Sequence, residues 1–145
     1  KNGNIGYGFL TGSCLKKGTV ATTYFHDHHN LFVAGSCPDD MLLAVNRIRE
    51  LQGGFLTAKD GRILSELALP VCGILSERSI RENGLALKAV RKSLTDLGYV
   101  HNNPIMSVGT LGLPVSPALK LTDKGLVNVK KGEIVPLIVS TKKNK

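Results

Sequence analysis

The sequence predicts an α+β fold, with a mostly antiparallel or mixed sheet covered by two main helices. Two segments space their apolar residues as one face of an α-helix does, and several shorter segments are rich in β-branched and aromatic residues, as strands are. The helices are too few to alternate with every strand, which argues against a repeating βαβ pattern. With 145 residues, 42% of them hydrophobic, the chain is long enough for one domain with its own core.

Three short strands are expected before the first helix. Residues 8–12 (GFLTG) form an apolar run between glycines, and residues 19–25 (TVATTYF) combine β-branched with aromatic side chains. Residues 31–34 (LFVA) form another apolar run of strand length, which Gly35 closes. The polar residues between the last two runs therefore occupy a hairpin turn or a bulge.

The first helix is expected to begin where Ser36 or Cys37 can serve as its N-cap. Pro38 suits the first helical turn, and the two aspartates that follow favour the positive end of the helix dipole. The glycine pair at 53–54 ends the helix. Its apolar face is predicted from residues spaced by three and four: Met41, Ala44, Val45, Ile48 and Leu51.

A β-hairpin and a second helix are expected next. The hairpin spans residues 54–69, because Asp60-Gly61 supplies the positive φ angles that a two-residue turn needs. Ser76 then caps a longer helix that ends at Gly98. Gly84 inside this helix costs about 1 kcal/mol relative to alanine, so we expect a neighbouring element to approach closely there. The apolar face of this helix is predicted from five residues: Ile80, Leu87, Val90, Leu94 and Leu97.

The last third of the chain is less regular. Residues 104–117 hold three prolines among apolar residues and form either a short buried strand or one or two helical turns. Residues 122–125 (TDKG) are typical of a turn, and residues 135–140 form a final strand. We expect one domain over residues 1–140, followed by a basic tail at 141–145.

Composition excludes several functional classes. The net charge of +8 is scattered along the chain without interleaved aromatics, so we expect no nucleic-acid partner. No apolar run reaches roughly 18 residues, and the glycine-rich start is unlike a signal peptide, so we expect no membrane association and no secretion. The three widely spaced cysteines favour free thiols in a reducing cytoplasm: Cys14, Cys37 and Cys72.

Three of the four histidines lie in one short stretch, FHDHHN: His26, His28 and His29. A metal site needs three or four protein ligands, and the remaining histidine, His101, is isolated. We therefore expect no metal site in this chain. Two alternatives stay open: a polar turn in which Asp27 and Asn30 bond the backbone, and a site that binds a polar ring or transfers a proton.

The order of several motifs is specific. N-I-G-x-G-F (residues 4–9) precedes H-D-x-H-N (26–30), N-P-I-M-S (103–107) and the long L-x-L-P-V-x-P-x-L-K-L-T-D-K-G-L-V-N-V (111–129). Over nearly the whole chain this order resembles the C-terminal domain of bacterial adenine deaminases, of the amidohydrolase superfamily. One departure is visible, since His28 stands where the family pattern has serine.

The resemblance implies hydrolysis of adenine to hypoxanthine and ammonia, in purine salvage. In this family a distorted (β/α)8 barrel holds a divalent metal pair, manganese or iron, which activates the attacking water. We therefore expect this chain to bind no cofactor itself and to be inactive alone. Its expected partners are the barrel domain of the same enzyme and adenine, and the apolar region 105–115 offers an interface for a homo-oligomer.

The resemblance also suggests roles for the histidine-rich stretch. We hypothesise that it docks over the barrel mouth, with His26, Asp27 and His29 as candidate catalytic residues. One of the two imidazoles bonds a purine ring nitrogen or carries a proton, and Asp27 orients it. Asn30 and His28 are candidate substrate-binding residues. The alternative is a stand-alone module that binds a purine or a metal without catalysis.

Overall fold

The computed structural model describes residues 3–12 and 14–139. Along the chain the elements are β1 (Thr19–Thr22), β2 (Phe32–Gly35), α1 (Pro38–Leu51), β3 (Gly54–Lys59), β4 (Arg62–Ala68), α2 (Ile80–Asp96), α3 (Pro104–Gly109), a 3₁₀ helix (Thr110–Gly112), β5 (Leu119–Thr122), β6 (Gly125–Asn128) and β7 (Glu133–Val135). The strands form two antiparallel sheets, so the predicted α+β class is confirmed. In the described ranges no helix is long and apolar enough to cross a membrane.

The larger sheet has the strand order β2-β1-β3-β4, with every neighbouring pair antiparallel. In the central strand β1, Val20 lies opposite Ala34 of β2 and Thr57 of β3. The predicted hairpin joins β3 to β4, and its two turn residues Asp60 and Gly61 have φ angles of 52° and 71°. These angles are the left-handed pair that a tight hairpin turn requires.

Both faces of this sheet are covered, because successive side chains of a strand point to opposite faces. One face packs against α2 and α3 in a core of ten residues: Val20, Phe25, Phe32, Phe55, Leu67, Leu69, Val90, Leu94, Tyr99 and Val108. The other face packs against α1 in a smaller core: Ala21, Ala44, Ile48, Leu56 and Ala58. The predicted cover of two main helices is therefore confirmed, with one on each face.

Asp40 ties α1 to the sheet. The helix begins after Cys37 as expected, with Pro38 in its first turn, but Asp40 is buried rather than solvated. Its carboxylate accepts hydrogen bonds from the backbone amides of Asp60 (3.1 Å) and Gly61 (2.8 Å). The second aspartate of the helix start thus holds the tip of the β3–β4 hairpin.

The smaller sheet has the order β5-β6-β7 and lies beside the 3₁₀ helix. Lys120 of β5 donates from Nζ to the carbonyl oxygen of Thr110 (3.2 Å), and Leu121 packs against the main core. The predicted turn at residues 122–125 joins β5 to β6. The helical alternative for the start of the 104–117 segment is confirmed by α3 and the 3₁₀ helix.

Two strand predictions were wrong. Residues 8–12 form no strand, because this stretch belongs to an N-terminal segment that packs over β5 without joining its ladder. The final strand is β7, which ends at Val135 instead of beginning there. Ser140 and the predicted basic tail at 141–145 lie outside the described residues, so the domain limits stay a prediction.

The start of α2 was also placed wrongly. Ser79, not Ser76, is the N-cap, since its side chain and that of Glu82 form a reciprocal capping box. Ile80 was predicted to belong to the apolar face of this helix, but it is the first residue of α2 and is 93% exposed. A Cβ on Gly84 would meet no described atom within 4 Å, so no close neighbour explains that glycine.

Candidate functional site

The His loop, residues 26–30, lies in the connection between the antiparallel strands β1 and β2, as predicted. Just after β1, the Tyr24 amide donates a hydrogen bond to Oγ1 of Thr22 (2.9 Å). It turns back where the His29 amide donates to the carbonyl oxygen of Phe25 (2.8 Å). His29 itself adopts the left-handed conformation, with φ of 46°, which is uncommon outside glycine. The local backbone therefore forms a tight turn that displays the five residues together.

Phe25 anchors this turn in the main core. Its ring is 3% exposed and stacks on Phe32 at the start of β2, with centroids 4.5 Å apart and planes 9° from parallel. A Cβ on Gly112 would overlap Cε1 of Phe25 and lie 2.6 Å from Cζ, so only glycine fits at that position. The loop thus follows directly on a buried aromatic pair, and the His28 ring packs against Phe25 of that pair.

Two further contacts fasten the loop to α3 and the 3₁₀ helix. The His26 amide donates to the carbonyl oxygen of Gly109 (2.8 Å), at the end of α3. Nε2 of His28 lies 3.3 Å from the carbonyl oxygen of Gly112 and donates to it in the tautomer that carries the proton there. Residues 109–112 were not singled out from the sequence, although the glycines of VGTLG are the signal that a close approach leaves.

The side chains of Tyr24, His26 and His29 form one aromatic cluster. The ring centroids of Tyr24 and His26 are 4.8 Å apart, and those of His26 and His29 are 5.6 Å apart. Tyr24 and His29 complete the triangle at 6.2 Å. His28 turns away from this cluster and packs on Phe25, at 5.3 Å. Two of the predicted imidazoles therefore share one side of the loop, while the third braces its base.

Asp27 is the exposed member of the group. Its side chain is 80% exposed, and Oδ1 lies 3.4 Å from Nδ1 of His26, whose side chain is 23% exposed. The other ring nitrogen of His26, Nε2, is buried and has no hydrogen-bond partner among the described residues. A buried polar atom without a partner is unfavourable and is frequent at functional sites. The pair combines an accessible carboxylate with an imidazole nitrogen that no described residue satisfies.

All five predicted site residues thus lie in one turn, and Asn30 is half-buried at its end. Their assigned roles stay predictions. Tyr24 is the residue that sequence reasoning missed, since it was read only as part of a strand. The available signal was its position two residues before His26, a spacing at which side chains of an extended chain lie on one face.

The side chains of residues 3–12 and 14–139 do not suit a metal centre. In the described part no group of three histidine, cysteine, aspartate or glutamate side chains is arranged to hold a metal ion. His26 and His29 are close, but Asp27 lies on the far side of His26 from its buried nitrogen, so no third ligand joins them. We derive no chemical step through a metal held by this chain.

An open pocket of about 730 Å³ flanks the His loop at its base. It lies between the connection and the C-terminal end of α1, and its lining includes Thr23, Leu31, Asn46, Arg49 and Gln52. The five His-loop residues do not line this pocket. This pocket is therefore separate from the imidazoles and the carboxylate of the His loop.

The family model and three relatives that match this chain carry the name adenine deaminase. A family model described as "Adenine deaminase C-terminal domain" matches residues 1–133. The chain is 50% identical over 137 residues to "Adenine deaminase" of Clostridium perfringens, which covers 94% of this chain and 24% of that protein. It is 49% identical over 142 residues to "Adenine deaminase 2" of Shouchella clausii, covering 98% of this chain and 25% of the relative.

A third relative is similar over nearly the same part of the chain. "Adenine deaminase" of Cereibacter sphaeroides is 46% identical over 136 residues, again covering 94% of this chain and 24% of that protein. The chain spans about a quarter of the length of the curated relatives that it matches. The family match covers the His loop and every helix and strand from β1 to β6, and it ends at the first residue of β7. The chain belongs to the adenine deaminase C-terminal domain family.

Proposed function

We propose that this chain works as the C-terminal domain of an adenine deaminase, where its His loop completes an active site whose metal-bearing barrel lies in the rest of the enzyme. One observation carries the proposal: a turn of this family's domain presents an exposed carboxylate 3.4 Å from an imidazole whose other nitrogen has no partner in the described part of the chain. Groups of this kind suit proton transfer near neutral pH.

The chemistry of the proposed reaction determines which groups such a loop must supply. Hydrolysis of adenine adds water to the carbon that bears the amino group and releases ammonia, so protons must reach the ring and the leaving nitrogen. The divalent metal pair, manganese or iron, belongs to the barrel in this proposal and supplies the activated water there. This domain then contributes hydrogen-bonding side chains for the purine and exclusion of solvent from above.

The candidate catalytic residues are His26, Asp27 and His29. His29 lies half-buried beside the His26 ring and is the imidazole we assign to the purine ring nitrogen. Asp27 interacts with His26 and keeps that ring oriented. Asn30 contacts the purine or closes the turn.

His28 is the weaker candidate for substrate binding. Its ring lies against Phe25 and its Nε2 faces the Gly112 carbonyl oxygen, which supports a role in bracing the loop. The wider setting that we propose is purine salvage in the cytoplasm, where the free thiols found here would stay reduced. Adenine and the barrel are the proposed partners, and a homo-oligomer is compatible with the apolar region 105–115.

Kinetics of the complete enzyme test the proposal. We expect His29→Ala to lower kcat for adenine roughly tenfold or more, because a lost acid–base or hydrogen-bonding group in the transition state has at least that effect. His101→Ala is the matched control, since His101 is exposed and lies outside the loop. Unchanged kinetics in a His29→Ala enzyme that keeps its melting temperature would refute the proposed role.

Calorimetry of the 145-residue chain separates this function from a stand-alone binding module. We expect no measurable heat of binding with adenine or with manganese chloride, because the loop residues do not line the open pocket beside them and the described residues form no group of three metal ligands. Saturable binding of either compound to the chain alone would favour the module.

A further inference from the structure

An exposed stripe of large apolar side chains runs along the N-terminal segment. Ile5, Tyr7 and Phe9 alternate with glycines and are 70%, 68% and 79% exposed. We call these three residues the apolar stripe. Large apolar side chains that are exposed singly are common, but three at alternating positions form a continuous surface.

The glycines between them hold the segment against the smaller sheet. A Cβ on Gly6 would overlap the carbonyl oxygen of Thr122 and lie 3.3 Å from the amide nitrogen of Gly125. Gly8 lies next to Leu121, with its Cβ position 3.4 Å from Cδ1. The backbone therefore lies flat on the β5–β6 hairpin through its glycine face. The opposite face, which carries the stripe, is directed outward by this arrangement.

Contacts link this segment to the His loop. Leu121 and Thr122 of β5 lie beneath the glycines, and Lys120 of the same strand bonds the carbonyl oxygen of Thr110 in the 3₁₀ helix. Gly112 of that helix in turn contacts Phe25 and His28 at the base of the loop. A partner that binds the apolar stripe would therefore contact a segment that packs on the elements that position the loop.

We propose that the apolar stripe docks onto an apolar strip on the preceding part of the same adenine deaminase polypeptide, and this inference rests on the proposed function. In the relatives about three quarters of the polypeptide lies outside the matched region, which the family model describes as C-terminal. That part enters at the N-terminal end of the domain, next to the stripe. A covalent connection raises the effective concentration of that part, to the millimolar range where the linker is short.

A second copy of the chain is the competing occupant, and area argues against it. Full burial of three such side chains removes roughly 500 Å² of surface, at about 150–250 Å² for each aromatic residue. A stable interface between separate proteins needs roughly 800 Å² on each partner. The stripe is therefore too small to hold a dimer by itself, whereas a tethered domain needs no such area.

Hydroxyl-radical footprinting of the complete polypeptide that carries this chain tests the docking. After correction for intrinsic reactivity, we expect Tyr7 and Phe9 to be oxidised roughly fivefold more slowly than the reference residues, because a packed interface excludes water. Leu42 and Leu85 are the references, since they are 61% and 63% exposed on α1 and α2. The measurement uses the unmodified protein, so it does not depend on whether a variant folds.

Two results would overturn the inference. Oxidation of Tyr7 and Phe9 at the reference rate shows an open stripe, and protection that disappears on dilution shows a second copy. Protection that is independent of concentration supports docking within the polypeptide. The footprint is independent of catalysis: protection with unchanged His29→Ala kinetics removes only the loop's role, and an open stripe with impaired kinetics removes only the docking.

Discussion

The ring of Phe25 occupies the space that a side chain on Gly112 would need, and this contact sets the position of the His loop above the main core. Phe25 precedes the loop directly, and Gly112 also provides the carbonyl oxygen that faces His28. The conformation of the turn therefore depends on a glycine more than eighty positions further along the chain.

We predict opposite effects for the same substitution at two glycines. Gly112→Ala forces the Phe25 ring to move and lowers the free energy of unfolding by about 1–3 kcal/mol, as overpacking does. Gly84→Ala, on the exposed side of α2 with no described atom within 4 Å, raises it by about 0.5–1 kcal/mol, because alanine loses less backbone entropy. Urea unfolding of the 145-residue chain measures both. A neutral Gly112→Ala variant would show that the loop is not supported in this way.

Asp40 and Asp39 form a second matched pair. Asp40→Asn removes a carboxylate that accepts from two backbone amides of the hairpin turn, and we expect a loss of about 1.5–3 kcal/mol. Asp39→Asn removes only a favourable charge at the helix start, so its loss stays near about 0.3–1 kcal/mol. Thermal unfolding at neutral pH compares the two variants. Equal losses would mean that the hairpin contact contributes nothing.

The ion pair between Arg47 of α1 and Glu66 of β4 gives a pH-dependent prediction. Two hydrogen bonds, of 2.8 and 2.7 Å, hold the pKa of the Glu66 carboxyl below its usual value and raise that of Arg47. Because the folded pKa of Glu66 is lowered, its contribution is complete above the unfolded pKa near 4.5 and is lost as pH falls through the folded value.

Glu66→Gln should therefore destabilise the chain by about 1 kcal/mol or less at pH 7, since the pair is only partly shielded from solvent. The difference from the unmodified chain should disappear in acid. Asp96→Asn is the control, because the Lys92–Asp96 pair is largely exposed, at 76% and 59%, and should matter little. Urea unfolding at several pH values gives the comparison, and a difference that persists in acid would exclude the ion pair as its cause.

The local elements with strong chemical signals were predictable from the sequence. Three features follow from residues that restrict their own backbone conformation: the hairpin at Asp60-Gly61, the helix start at Pro38 and the turn before β6. The start of α2 was placed wrongly although its signal is local. Ser79 and Glu82 match the S-x-x-E capping box, whereas no glutamate or glutamine stands three residues after Ser76.

The candidate site was likewise predictable only in part. The clustering of the His-loop residues is visible in FHDHHN, and its place between two strands was expected. The support of the loop by Gly109 and Gly112 was not predicted. Hydrogen bonds between segments that are far apart in sequence have no sequence signal here except isolated glycines. The outward face of the N-terminal segment was likewise hidden, since alternating glycines and apolar residues resemble an ordinary strand.

Hydrogen–deuterium exchange of the complete enzyme, with and without saturating hypoxanthine, tests most directly whether the His loop covers the purine site. We expect amides in residues 24–31 to exchange about tenfold more slowly with the product bound, while the β3–β4 hairpin tip at Asp60 and Gly61 is unaffected. Identical exchange of residues 24–31 in the two states, at full occupancy of the product, would contradict a role for this loop at the active site.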